Sequence, residues 1–381
     1  MGARYRAEQV GSLLRPAEVL EAHAAHRRGE IPLERLREIE DKAILDALEL
    51  QRAAGIEVLS DGEFRRPNWA ADFMESMDGY VTTDAPPIRF EWKMAGDAEQ
   101  VSPEVMAEIR QVAGQGALVV GERLRPKRRL TGYFASFLKQ HAHGPYKVTM
   151  PAASYVVARG FKPGVTDRVY PTRGDLLKEV SGIIHSEVQA LVSEGTPYIQ
   201  LDNPHYPDYI EDSRREQWRA IGIDPDKALV EDVAADTACF AGVDPQQTVR
   251  ALHICRGNGR SAWHTQGGYE RIAETVFGSL DVDVYLLEYD SDRAGGFEPL
   301  RFMPKDKTVV LGLVTTKLGS LESPDLLLQR IDEASKFVPA ENLAISPQCG
   351  FASMSGGNLL SSDEQRRKLE LVAETARRAW G

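Results

Sequence analysis

The chain is 381 residues long, enough for one large domain or two of medium size, and its 42% apolar content supports a sizeable core. Its 57 acidic residues outnumber 46 Lys and Arg, a net charge of −11 that argues against nucleic acid or an anionic membrane surface as partner. No apolar run is long enough to span a bilayer, the first residues carry no apolar signal region, and three cysteines are too few for a disulfide framework, so a reduced, cytoplasmic chain is expected.

A first strand is expected to end at Val10-Gly11-Ser12, with a short helix after Pro16. Leu33, Leu36, Ile39, Ala43, Ala47 and Leu50 recur at helical spacing, which predicts a helix over 31–54 stopped by Gly55. A second strand ends at Leu59, and Asp61-Gly62-Glu63 follows it. Residues 81–130 break the pattern. There, Ile88-Arg89-Phe90-Glu91-Trp92 and Leu118-Val119-Val120 read as strands of an excursion. Further strands end near Met150, Leu201, His253, Glu288, Val314 and Pro347. Helices are expected over 132–141, 174–194, 226–241, 268–277, 323–336 and 363–379. Strands alternating with helices predict the α/β class, a (β/α)8 TIM barrel over 1–381 as one domain. A β-rich insertion at about 81–130 lies between its second and third barrel strands.

In such a barrel the active site lies at the C-terminal ends of the strands. Polar and metal-capable residues fall there repeatedly. His253 and Cys255 end the fifth strand, two apart and so on one face. Glu288 ends the sixth, Thr315-Thr316-Lys317 follows the seventh, and Cys349 follows the eighth. One imidazole, two thiolates and one carboxylate form a complete ligand set for zinc. A lone His-x-Cys is weak, because a strand Cys is more often a small buried hydrophobe. The convergence of three strand ends is the stronger signal. Asp61 and Glu63 read as an acid–base pair or a seat for an amine, against the plainer reading of a solvated loop beside Arg65-Arg66. Asp202 directly follows a buried strand, which is costly unless the carboxylate binds something. Cys239 lies on an amphipathic helix and reads as core. His205 and His264 read as loop residues near the pocket, and His23, His26, His141 and His143 as solvated positions.

At these residues the chain resembles the cobalamin-independent methionine synthase family, in the short form of its C-terminal catalytic barrel. The motifs are Val10-Gly11-Ser12, Asp61-Gly62-Glu63, Gly144-Pro145, Ile199-Gln200-Leu201-Asp202, His253-Ile254-Cys255, Leu287-Glu288-Tyr289 and Pro347-Gln348-Cys349-Gly350. The resemblance implies a zinc site of His253, Cys255, Glu288 and Cys349. It implies that Asp202 and Glu63 hold the amino group of homocysteine, with Gly11 and Ser12 near its carboxylate. Zinc would then hold the thiol as thiolate for attack on a methyl group. Two departures bear on the methyl donor. No Trp follows Gly144-Pro145 to stack on a pterin, and Lys317 stands in the segment that ends the seventh strand, where the family has a His thought to protonate the donor. The donor is therefore methyl-tetrahydrofolate or another methyl carrier. Trp69, Tyr155, Tyr206 and Trp263 are expected to give the pocket mouth an aromatic surface. The alternatives are an alkyltransferase acting on another small thiol, of the epoxide:thiol type, and a non-catalytic zinc-bearing binding protein. A homo-oligomer is compatible with the sequence.

Overall fold

A computed structural model describes residues 2–95, 101–113 and 117–381. Its strands are β1 (Met77–Thr83), β2 (Lys93–Met94), β3 (Ala117–Pro126), β4 (Lys147–Pro151), β5 (Tyr198–Asp202), β6 (Val249–Ile254), β7 (Ala262–Trp263), β8 (Val284–Glu288), β9 (Thr308–Val314) and β10 (Leu343–Pro347). Six of them form one parallel sheet in the order β10-β9-β8-β6-β5-β4. Every residue of β4, β5, β6, β8 and β10 is buried. That matches their near-continuous apolar sequences, as expected for parallel strands covered on both faces. Because all six run the same way, their C-terminal ends share one edge.

The two expected N-terminal strands are present only as single bridges, Ala7 to Ile345 and Leu59 to Tyr146. Glu8 N–H donates to Ile345 O (2.9 Å), Glu57 N–H to Ala7 O (3.0 Å) and Lys147 N–H to Leu59 O (2.8 Å). Side chains take the groups that a longer ladder would use. Arg6 N–H goes to Glu57 Oε2 (2.6 Å), and Ser60 N–H to Gln51 Oε1 (2.9 Å). The first segment is also polar inside. Buried Lys147 donates to Glu8 Oε2 (2.9 Å), Gln9 O (2.7 Å) and Gln200 Oε1 (3.0 Å). A buried cluster draws Val10 and Val58 together with Tyr198, Val249, Ala251, Val284, Leu286, Val310 and Ala344, uniting both bridge segments with the sheet.

The helices follow the predicted alternation. Leu33–Ala54 ends at Gly55, whose φ of 86° is the left-handed cap. Its N–H reaches Arg52 O, and Ile56 N–H reaches Gln51 O. Arg173–Ser193, Pro225–Cys239 and Ser362–Trp380 lie within two residues of expectation. The helices Ala71–Glu75, Pro103–Ala113, Ala153–Gly160 and Asp212–Ala220 were not anticipated.

The interval between the second bridge and β4 is mixed rather than purely β-rich. It holds the antiparallel pair β1–β3, the helix Pro103–Ala113 and the short β2, which pairs with β7. The expected strand over 88–92 is corrected, since only Lys93–Met94 forms a ladder. Side chains anchor the upstream residues instead. Arg89 N–H donates to Gln217 Oε1 (3.0 Å), and Arg159 lies over the Phe90 ring at 3.8 Å. Residues 96–100 and 114–116 of the expected insertion lie outside the described residues. No helix among the described residues is long and apolar enough to cross a membrane.

Candidate functional site

His253 lies next to last on β6, Cys255 just beyond it, and Cys349 two residues beyond β10. All three are buried. One donor atom from each falls within 4.8 Å of the others. His253 Nδ1–H faces the Leu286 carbonyl (3.2 Å), which leaves Nε2 with its lone pair and no hydrogen-bond partner among the described residues. A ring fixed from behind by a carbonyl, with an unpaired nitrogen beside two sulfurs, is what a thiophilic metal requires. The residues present therefore fit a metal.

The two sulfurs are unlike: the neighbouring Cys255 thiol, then His253 and the Lys317 charge, hold the Cys349 thiol well below its usual range against the effect of burial. The proximity of Cys349, together with burial, pushes the Cys255 thiol well up. Burial alone would lower the His253 imidazolium, but Cys349, Asp202 and Glu288 outweigh it.

Glu288, at the end of β8, stands outside the three-donor group. Its Oε2 accepts Arg256 N–H (2.7 Å), and its Oε1 pairs with Arg293. Burial opposes its charge, but Arg293, Lys317 and Arg256 hold its carboxyl at about 2. Lys317 reaches no carboxylate among the described residues. Its Nζ donates to Gly257 O (3.0 Å) and Asn258 Oδ1 (3.2 Å), in the turn after Cys255.

Asp202 sits directly opposite His253 in the β5–β6 ladder. Its Oδ1 accepts from Gln200 Nε2 (2.7 Å). Burial, joined by the Glu63 charge, pushes it up to about 7, with His253 pulling the other way. Glu63 has a positive φ of 61°, uncommon for a residue with a side chain, and Asp61 Oδ1 holds its N–H at 2.9 Å. Its Oε1 accepts from Thr149 Oγ1 (3.0 Å) and lies 3.3 Å from Arg66, while its buried Oε2 has no partner among the described residues. A Cβ on Gly11 would meet Glu63 Oε1 at 2.7 Å, so only glycine admits this approach. Ser12 is tied to the Cys349 loop. Its carbonyl accepts Phe351 N–H (2.8 Å) and its Oγ accepts Ala352 N–H (3.2 Å).

Several participants escaped the sequence reading. Arg66 lies buried between Glu63, Asp72 and Thr149. Arg15 donates to the carbonyls of Glu63, Arg66 and Ala352, joining three loops. An Arg closely following Asp61-Gly62-Glu63 was the available signal for Arg66. Nothing in the sequence pointed to Arg15 or Arg293. The histidines need correction too. His23 is half-buried, with Nε2 donating to Phe64 O (2.9 Å). His205 is enclosed by Asp208, Tyr209 and Asp232. Tyr206 is fully buried with its hydroxyl on Asp236 Oδ2 (2.8 Å), so it gives the mouth no surface. Trp69 and Tyr155 do pair, with ring centres 4.5 Å apart. Cys239 is core, as expected.

Fold and site together define an α/β protein of the TIM-barrel type with a buried imidazole–dithiol cluster beside two carboxylates. The family model for the catalytic domain of the cobalamin-independent synthases matches residues 6–377, and the chain belongs to that family. It is 36% identical to YxjH, an uncharacterized protein of Bacillus subtilis, over 99% of this chain and 95% of that one. It is 25% identical to the methionine synthase of Sulfurisphaera tokodaii over 90% of this chain and 84% of the relative. A Listeria monocytogenes structure provisionally assigned as a vitamin-B12-independent methionine synthase matches with TM-score 0.70 and 28% identity, covering 100% of this chain and 99% of the other.

Proposed function

We propose that this chain is a zinc-dependent methyltransferase that converts homocysteine to methionine. The observation that carries the reading is the His253 Nε2, without a partner among the described residues and set beside two sulfurs, one strand away from Asp202. His253, Cys255 and Cys349 would hold the zinc, with Glu288 as fourth ligand. Bound zinc supplies the chemistry of keeping a substrate thiol ionised at neutral pH. The family supports this reading, as does the name of the Sulfurisphaera relative.

The remaining work falls to the chain's own groups. Asp202 and Glu63 Oε2 would receive the substrate ammonium. An arriving cation favours the charged form of Asp202, whose burial otherwise raises it to about 7. Gly11 and Ser12 would border the substrate carboxylate. Lys317 would act in the reaction by fixing the 257–258 turn and biasing Cys349 toward thiolate.

The bridges at residues 7 and 59 would close the sheet into an eight-stranded barrel. That barrel would make one domain of 1–381, interrupted by the 81–130 excursion. A cytoplasmic location fits the reduced thiols. The methyl donor is methyl-tetrahydrofolate or another methyl carrier, and the absent pterin-stacking Trp favours the latter. The test is a donor comparison at saturating homocysteine with zinc-loaded protein, reading methionine by mass. No methionine from any donor would sink the reading.

A further inference from the structure

The segment that carries Gly11 and Ser12 is joined to β10 by the Ala7–Ile345 bridge, and side chains set its course from there. Three successive carbonyls accept from them: Gln9 O from Lys147 Nζ (2.7 Å), Val10 O from Gln200 Nε2 (2.7 Å) and Gly11 O from Ser60 Oγ (2.6 Å). Gln200 is the pivot. It lies on β5 two residues before Asp202, and so on the same face. Its Nε2 places one N–H on Val10 O and the other on Asp202 Oδ1 (2.7 Å). Its Oε1 accepts from Lys147 Nζ (3.0 Å), a group that can only donate. The amide therefore has one orientation, since reversing it would set oxygen against two oxygens and N–H against an ammonium. Lys147 is held in turn by Glu8 Oε2 (2.9 Å), which the Tyr198 hydroxyl also reaches (3.0 Å). Glu8, Lys147, Tyr198, Gln200 and Asp202 are all buried, so water does not replace a lost partner.

We propose that Gln200, braced by Lys147, is a positioning residue for the amino-acid end of the substrate. One amide fixes the distance between the Asp202 carboxylate and the Val10-Gly11-Ser12 backbone, and so between the seats for ammonium and carboxylate. This rests on the proposed binding of homocysteine. Two seats held at one spacing cooperate, because a ligand docked at one end meets the other with little further ordering. Without the amide each seat remains, but the joint advantage is lost.

Titration calorimetry on zinc-loaded protein should compare three thiols: homocysteine, which has both charged groups, aminopropanethiol, which has the amine alone, and propanethiol, which has neither. Gln200→Met keeps the bulk and removes the amide. Its homocysteine affinity should fall about tenfold, the scale of one hydrogen bond to a charged group. Aminopropanethiol should lose no more than about threefold, and propanethiol nothing. Unchanged homocysteine affinity would overturn the inference. So would an equal loss for aminopropanethiol, which reports an amide acting on Asp202 alone, or an equal loss for propanethiol, which reports a disturbed metal site. If Gln200→Met does not fold, Glu8→Gln with Lys147→Met removes the brace as a neutral pair. That variant should bind homocysteine about threefold more weakly and propanethiol as the parent does; parent-like homocysteine affinity there overturns the proposal. A parent chain that binds homocysteine no better than propanethiol removes the amino-acid thiol as substrate, a result distinct from selective binding that Gln200 does not influence.

Discussion

Two buried histidines of this molecule have opposite surroundings. His205 lies among Asp208, Asp232 and Tyr209, with both ring nitrogens engaged at 3.0 Å. Arg173 completes the charge balance on Asp232, and Thr265 and Arg159 reach Asp208. Every side-chain polar atom of His205, Asp208, Asp232 and Tyr209 has a partner. His253 lies among two thiols and Asp202, with one nitrogen turned to a carbonyl and the other unpaired among the described residues. Burial and nearby acids do not separate the two clusters. What separates them is an unmet valence. A satisfied cluster holds the fold, and an unsatisfied one is poised for a ligand.

The sharpest break of this contrast is at the sulfurs. Cys349→Ser and Cys255→Ser should each lose most of about one zinc per chain, because a hydroxyl is a poor zinc ligand. Cys239→Ser, altered within the core, should keep it. Metal analysis of the purified variants decides, and full zinc in Cys349→Ser would end the ligand assignment. The satisfied cluster should answer in stability instead. Asp232→Ala strands Arg173 and His205, and should cost about 3–5 kcal/mol in denaturant unfolding. Its zinc content should not change; a loss of zinc without a loss of stability would erase the distinction between the clusters.

Asp202→Asn probes the border of the open cluster. It should weaken homocysteine binding by about 1.5–3 kcal/mol and leave zinc in place. Titration calorimetry with homocysteine tests this, and parent-like affinity would argue for a thiol without an amine. The smallest effect concerns pH. Burial would raise Asp208, but the His205 hydrogen bond and the Arg159 charge carry it down to about 2. A carboxylate lowered by folding stabilises the fold above its unfolded pKa, and that contribution fades as pH falls through the folded value. Asp208→Asn should therefore be less stable than the parent by about 2 kcal/mol at neutral pH. The gap should close between about pH 4 and pH 2. A gap that stays constant down to about pH 2 would mean that Asp208 acts through packing rather than charge.

The open cluster was largely legible in the sequence. His253, Cys255 and Cys349 follow apolar runs, and parallel strands bring such ends to one edge whatever the loops do. Asp202 was legible for the same reason. The Glu288 position was legible but its engagement was not, because Arg293 and Arg256 belong to loops with no periodicity to place them. Arg15 was hidden similarly, since an Arg that binds backbone carbonyls leaves no pattern in the chain. The first two strands were overestimated. Their apolar residues do enter the core, but Glu57 and Gln51 take backbone groups that a ladder would have used. The helix Ala153–Gly160 was missed because it begins two residues after a strand, in a stretch whose Tyr155-Val156-Val157 reads equally well as β.

Asp202 and His253 face each other across a single pair of hydrogen-bonded strands. Neighbouring strands stand about 4.8 Å apart, a spacing set by backbone hydrogen bonds rather than by side chains. On the proposed function, the sheet then acts as a calliper, with one jaw on the amine and the other on the sulfur. A substrate is gauged by the number of methylenes between those groups, and no flexible loop has to sense its length. Changing which thiol fits would require shifting the register of β5 against β6, a change that moves every inward side chain at once.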